Sequence, residues 1–232
     1  MRFWGGQPRA RWHIHRPTST TPGGNTMLIG LSGKKRAGKD TVAAYLVEKY
    51  VFERVAFADP LREVALKVDP IIGAEVDPRG SVACGYGGRL YDVPTAEPVL
   101  LSEVVRRCGW EAAKDHCVYG PEVRRILQRM GVGVRDLDPD FWLRVAAEKI
   151  GVMMDARRNV VVTDVRFPNE ADYIKRHGFL IRVIRPGLDH ADTHESETAL
   201  DDYPHDAYLI NDGSVQDLRD QVDYLLGEPI SV

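Results

Sequence analysis

Much of what commonly anchors or staples a protein is scarce in this 232-residue chain. No apolar run approaches the roughly 20 residues that a membrane-spanning helix needs. Phe3-Trp4-Gly5-Gly6, the one apolar patch near the basic start, is too short to be the core of a signal peptide. A soluble, cytoplasmic protein is expected. Cysteine is sparse too: Cys84, Cys108 and Cys117 are an odd number without a Cys-x-x-Cys pair, which argues against a disulfide framework and against a cysteine zinc site. An excess of positive charge is also lacking, with 31 Lys and Arg against 34 Asp and Glu. Four of those arginines, Arg2, Arg9, Arg11 and Arg16, fall in residues 1–26, which hold no acid, so the rest of the chain carries 27 bases against 34 acids. A body of that sign is a poor polyanion binder, and no stable nucleic-acid binding is expected. A chain of this length can bury a self-sufficient core, so nothing requires oligomerisation, and a homodimer stays open.

Residues 1–26 have neither helical nor strand periodicity and are read as a disordered N-terminal extension or an upstream start. Met27 begins an alternation of buried strand and amphipathic helix that runs to the end of the chain, the pattern of an α/β fold with a parallel sheet wrapped by helices. Five strands are expected: Met27 to Leu31, Val55 to Phe57, Val160 to Thr163, Leu180 to Ile184 and Ala207 to Ile210. The closing helix, from about Ser214 to Leu226, puts Leu218, Val222 and Leu225 on one face. Between about 69 and 138 the alternation breaks. Gly80, Gly85, Gly87 and Gly88 suggest a long irregular loop, followed by helical stretches near Leu101 to Arg107 and Glu122 to Met130. A mainly helical, substrate-binding insertion into a single domain of residues 27–232 is the expectation there. A cover or lid is expected at about 186–203, where His190 and His194 stand among acids and read as exposed loop residues.

The strongest chemical signal is Gly33-Lys34-Lys35-Arg36-Ala37-Gly38-Lys39-Asp40-Thr41, which satisfies Gly-x-x-x-x-Gly-Lys between a buried strand and a helix. Glycines at those spacings let consecutive backbone N–H groups face one phosphate chain. The helix start adds the positive end of its dipole, and Lys39 reaches the β- and γ-phosphates of ATP. The competing reading is a Gly-rich turn with solvent-facing lysines, which the strand and helix flanks disfavour. Asp40 stands where a Ser or Thr hydroxyl usually binds Mg²⁺, so the metal falls to Asp40 directly or through water, while Thr41 could bond the α-phosphate. Lys35 and Arg36 add cations that would offset the repulsion between two approaching phosphates.

A second signal is Val160-Val161-Val162-Thr163-Asp164-Val165-Arg166, a buried strand that ends on an acid with an arginine two residues on. At the C-terminal end of a parallel strand, Asp164 would organise Mg²⁺ and Arg166 would point at a phosphate. The alternative is that Asp164 caps the next turn and Arg166 pairs with Glu170. Phe57-Ala58-Asp59-Pro60-Leu61-Arg62 ends another strand the same way, offering Asp59 to a sugar hydroxyl, or as an N-cap, and Arg62 to a substrate phosphate.

In these motifs, and in His194-Glu195-Ser196-Glu197, the chain resembles the phage-type deoxynucleoside monophosphate kinases, from Met27 to about Leu226. The resemblance implies a P-loop kinase fold and transfer of the γ-phosphoryl of Mg-ATP to the 5′-phosphate of a deoxynucleoside monophosphate, in the host cytoplasm if the gene is a phage's. It also implies that Gln128 and Trp142, in segments similar to that family's substrate-side helix, bind the monophosphate. Asn211, in Ile210-Asn211-Asp212-Gly213-Ser214, is similar to a residue near the adenine in dephospho-coenzyme A kinases. An Asx turn capping the last helix explains Asn211 equally well. Lys39, Arg166 and Asp164 are the expected catalytic residues. Gly33, Arg36, Ala37, Gly38, Lys39, Asp40, Thr41 and Asn211 are expected on ATP, and Lys35, Asp59, Arg62, Gln128, Trp142 and Arg166 on the monophosphate. A kinase acting on a hydroxyl, or a P-loop ATPase that is not a kinase, is the rival reading.

Overall fold

The computed structural model of the chain describes residues 26–86, 89–188 and 198–227, with side chains outside 77–95. Two compact units are present, one made of Met1–Phe57 with Leu143–Val232 and the other of Ala58–Trp142. Residues 1–25 of the N-terminal extension lie outside the described residues, as do 189–197 of the expected lid, with His190 and the His194 to Glu197 motif.

The first unit is built on a sheet of five parallel strands, β1 (Leu28–Ser32), β2 (Glu53–Val55), β5 (Val160–Val162), β6 (Phe179–Ile184) and β7 (Ala207–Ile210), in the order β2-β5-β1-β6-β7. Central parallel strands are covered on both faces, which is why β1 and β5 are apolar without alternation and buried throughout. Alternate residues still divide between two cores. Ile29 and Leu31 of β1, with Ile181 and Val183 of β6, pack under Val42 and Leu46 of α1 (Lys39–Tyr50) and Leu218, Val222 and Leu225 of α7 (Val215–Leu226). Leu28, Val160, Val162 and Leu180 pack under Ala146 and Ile150 of α5 (Phe141–Asp155) and Ala171 and Ile174 of α6 (Pro168–His177). Each such Leu, Ile or Val contributes about 1.5–3 kcal/mol, so an acid at Leu31 would break the sheet at the strand that launches the phosphate loop.

Helix α1 is clamped at its far end. The buried carboxylate of Asp223 accepts hydrogen bonds from Tyr45 Oη at 2.8 Å and Tyr50 Oη at 2.7 Å, and pairs with Lys49 Nζ at 2.9 Å. Burial alone would raise the Asp223 pKa, but the Tyr50, Lys49 and Tyr45 bonds outweigh it and hold the carboxyl below its ordinary range.

Pro60 sits in the first turn of α2 (Asp59–Val68), the place proline tolerates, but the N-cap is Ala58. Asp59 is therefore a first-turn residue and not the cap. The segment expected to be an irregular loop is instead an antiparallel hairpin of β3 (Ile71–Tyr86) and β4 (Arg89–Leu100), with register shifts between Ile71 and Gly73 and between Val76 and Ser81. Of the glycines expected to break the chain there, Gly80 falls in the register shift before Ser81, Gly85 pairs with Leu90, and Gly87 and Gly88 lie outside the described residues. Helices α3 (Leu101–Lys114) and α4 (Gly120–Leu137) follow, around a core of Ala65, Ile72, Val99, Leu101, Val104, Ala113 and Val123. Helix α3 kinks at Gly109, whose φ of 77° lies in the left-handed region. Among the described residues, no helix is long and apolar enough to cross a membrane.

Candidate functional site

The loop between β1 and α1 gets its shape from close approaches that only glycine permits. Gly33 has a φ of 127°, and a Cβ there would stand 2.3 Å from the carbonyl oxygen of Val183 in the neighbouring strand. Gly38 has a φ of 112°, and a Cβ there would stand 2.6 Å from Asn211 Nδ2. Ala37 N donates to Lys34 O at 3.1 Å, and Arg36 adopts a φ of 64°, so the loop curls over its own backbone. Lys39 closes the curl by donating from Nζ to Gly33 O at 2.5 Å and Lys34 O at 2.9 Å. Lys35, Arg36 and Asp40 are exposed beside it, with Asp40 in the first turn of α1, where an acid suits the helix dipole. Thr41 is half-buried.

Asn211 follows β7 and donates from Nδ2 to Ala37 O at 2.8 Å, which ties the last strand to the phosphate loop. The cap of α7 is made without it. Ser214 is the N-cap, and its Oγ accepts from Asp217 N at 3.2 Å while Asp217 Oδ2 accepts from Ser214 N at 2.7 Å. The Asx-cap explanation of Asn211 is thereby set aside.

Past β5, Asp164 Oδ1 accepts from the backbone N of Phe57 at 2.7 Å, fastening the ends of β5 and β2 together. The turn that follows is held by a second acid. This is Glu170, only 5% exposed, whose Oε2 accepts from the backbone N of Arg166 at 2.8 Å and of Phe167 at 3.1 Å. The Arg166 side chain lines a cleft with Gly33, Lys34, Val165, Arg182, Leu200 and Asp201. The loop of β1, the turn after β5 and a residue of β6 thus meet around one space, as parallel neighbours must when their C-terminal ends point the same way. Neither Arg182 nor Asp201 is among the site residues that the sequence motifs point to. The legible signal was an arginine inside the apolar strand Phe-Leu-Ile-Arg-Val-Ile, whose charge needs a partner in the fold. Next to it, Ser32 Oγ lies 2.6 Å from His205 Nε2, and burial, with the Arg182 charge adding to it, pushes the His205 pKa down to about 4.

A family model described as deoxynucleotide monophosphate kinase matches residues 27–69 and 113–222, which takes in the loop, the Asp164 turn and the last strand. The chain belongs to the deoxynucleotide monophosphate kinase family. It is 30% identical over 203 residues to a protein of Acanthamoeba polyphaga mimivirus named for the same activity, covering 84% of this chain and 94% of the relative. To the deoxynucleotide monophosphate kinase of Enterobacteria phage T4 it is 25% identical over 232 residues, with 84% and 96% covered. To that of Escherichia phage RB69 it is 31% identical over 245 residues, with 86% and 99% covered. With the family goes its activity: an ATP-dependent phosphotransferase acting on deoxynucleoside monophosphates. The rival readings, a hydroxyl kinase and an ATPase that is not a kinase, fall away.

The remaining expected residues of this kinase stand in the second unit. Arg62 NH1 is 3.7 Å from Asp59 Oδ1 and NH2 is 3.2 Å from Glu111 Oε1, with Trp110 5.8 Å from the guanidinium carbon. Gln128 is exposed on α4. Trp142 is only 4% exposed and donates from Nε1 to Gly131 O at 3.2 Å, so its indole is held against α4 and presents little surface.

Proposed function

We propose that this kinase transfers the γ-phosphoryl of ATP to the 5′-phosphate of a deoxynucleoside monophosphate at the loop formed by Gly33 to Thr41, giving ADP and the diphosphate. The observation that supports this placement best is the meeting of Lys34 of that loop with Arg166 of the turn after β5 around one cleft. The loop backbone of Gly33, Arg36, Ala37, Gly38 and Thr41 cradles the donor phosphates, Lys39 exchanges its carbonyl partners for the β- and γ-oxygens, and Asn211 supports the loop from the adenine side. Arg166 holds the acceptor phosphate, for which a planar fork that bonds two oxygens suits better than a point charge. Lys35 and Arg36 offset the repulsion between donor and acceptor. The acceptor oxygen is already anionic at neutral pH, so positioning and charge neutralisation carry the reaction and no strong general base is needed.

Mg²⁺ fits this donor set. It is characteristically held by one or two carboxylates with substrate phosphates and water, and Asp164, fixed by the Phe57 amide, and exposed Asp40 supply the carboxylates. Bound there, the ion would neutralise charge on the phosphoryl oxygens. Asp59, Arg62 and Gln128 are assigned to the monophosphate, and Trp142 supports them through packing. The enzyme works on free nucleotides in the cytoplasm, that of the host if the gene is a phage's. It acts without a stable nucleic-acid partner, and a homodimer is compatible with this reading.

The test is ADP release with each of the four deoxynucleoside monophosphates, their ribose counterparts and dephospho-coenzyme A. Turnover with at least one deoxynucleotide above its ribose form is expected. Turnover with dephospho-coenzyme A alone would overturn the proposal.

A further inference from the structure

Three cationic residues line the cleft beside the phosphate loop, Lys34, Arg166 and Arg182, together with one acid, Asp201. The two oxygens of that acid are held unequally. Oδ1 accepts from Arg182 NH2 at 2.5 Å, while Oδ2 stands 3.8 Å from Lys34 Nζ, at the outer limit of an ion pair. Arg182 also donates from NH1 to the backbone oxygens of Leu200 at 2.6 Å and of Asp201 itself at 2.9 Å. Leu200 is buried in the core under β1 and β6. The main chain at Asp201 and one carboxylate oxygen are therefore fixed, with the Arg182 side chain only 15% exposed. The contact to Lys34 is long, and both of its partners are 36% exposed.

An anchored carboxylate resting lightly on a lysine of a phosphate loop has the charge and the oxygen spacing of a phosphate edge. We propose that Asp201 is a resident anion of the acceptor cleft: its carboxylate neutralises Lys34 in the empty enzyme and yields that lysine to the 5′-phosphate of the incoming monophosphate. Arg182 is the positioning residue that keeps Asp201 in place. The inference rests on the reading that the monophosphate occupies this cleft. Without that carboxylate the Lys34 ammonium would face the other cations of the cleft with its charge unscreened and would hold free phosphate as readily as substrate. With Asp201 present, an entering anion must outcompete a carboxylate for Lys34. Arg166 and the groups assigned to the rest of the nucleotide let the monophosphate do so, whereas inorganic phosphate has only the cleft. Asp201 would thus lower affinity for all phosphates a little and raise discrimination in favour of the nucleotide.

Asp201→Asn keeps the size and the oxygen that Arg182 bonds but removes the charge; Asp201→Glu keeps the charge. For the asparagine variant, KM for the preferred monophosphate should fall about three- to fivefold, the size expected of one half-exposed ion pair. Inorganic phosphate should become a better competitive inhibitor by a similar or larger factor. KM for ATP should change less than about twofold, and the glutamate variant should return towards the parent values. An unchanged or raised monophosphate KM with a lowered Tm would reduce Asp201 to a loop anchor. A shift confined to KM for ATP would assign Lys34 to the donor instead. Calorimetric binding of inorganic phosphate, with the donor site filled by a non-hydrolysable ATP analogue, needs no turnover. It separates failure of this proposal from failure of the substrate assignment: no gain in phosphate binding in Asp201→Asn would overturn the resident-anion role by itself.

Discussion

In the first unit every strand is short, parallel and paired to its neighbours in sequence-distant register, and the chemistry gathers where β1, β5 and β6 end. In the second, two long antiparallel strands pair mainly with each other and two helices cover a smaller core. The family match runs through the strands of the first unit and takes in α2 and α4 of the second, but breaks off over residues 70–112, where the hairpin and most of α3 lie. The physical difference explains it. A phosphate loop is held by approaches as tight as Gly33 against Val183 O and Gly38 against Asn211, so its sequence has little room to change. A hairpin closes on itself and satisfies its own backbone bonds, so it can vary in length at small cost.

The comparison is sharpest if its chemical side is broken first. Lys39→Ala removes the charge aimed at the transferring phosphoryl, and turnover should drop by at least about a hundredfold with the fold retained. Near-normal turnover in a folded variant would take this loop out of catalysis. A step down in size, Arg166→Lys keeps the charge and loses the planar fork. It should lower kcat/KM for the monophosphate about tenfold or more while ATP affinity holds. Equal kcat/KM in parent and variant would detach Arg166 from the acceptor.

The second unit should answer differently. Trp142→Phe loses the bond to Gly131 O and leaves a void under the indole, so urea unfolding should show a loss of about 1–3 kcal/mol. The stability loss should come without a selective effect on kcat, and a kcat defect in a stable variant would mean that the indole meets substrate. The smallest effect concerns His205. Its folded pKa, about 4, lies below the ordinary value of 6.5, so the unfolded chain takes up the proton first as pH falls. Stability should therefore decline from about pH 6.5 to about pH 4 and level off below. The slope of Tm against pH over that window should flatten in His205→Gln, and an undiminished slope would place the titration elsewhere.

Much of the first unit was legible because its strands are apolar runs buried on both faces and its loop obeys a spacing that backbone chirality enforces. The expected bounds of all five strands fall within a few residues of the observed ones, and β2 ends at Val55, two residues before the Phe57 amide turns to Asp164. The hairpin was not legible. Gly85 is a loop residue by propensity, and only its pairing with Leu90 of the second strand overrides that preference. Family likeness points to Trp142 as a substrate contact, whereas the fold buries it. Asp201 and Arg182 are 19 residues apart in the chain, and no local pattern links them.

By itself the sequence determined the order of elements, the phosphate loop with its glycines, and the acid and arginine that follow β5. Each depends on local periodicity, on φ preference or on a motif whose mechanism needs a fixed spacing. Only the tertiary structure decided where the polar side chains spend their bonds: Asp164 on Phe57, Glu170 on the turn of Arg166, Asn211 on Ala37, and Asp201 between Arg182 and Lys34. A carboxylate or an amide has several partners within reach of its rotamers, and which one it meets is set by how distant strands come to lie side by side.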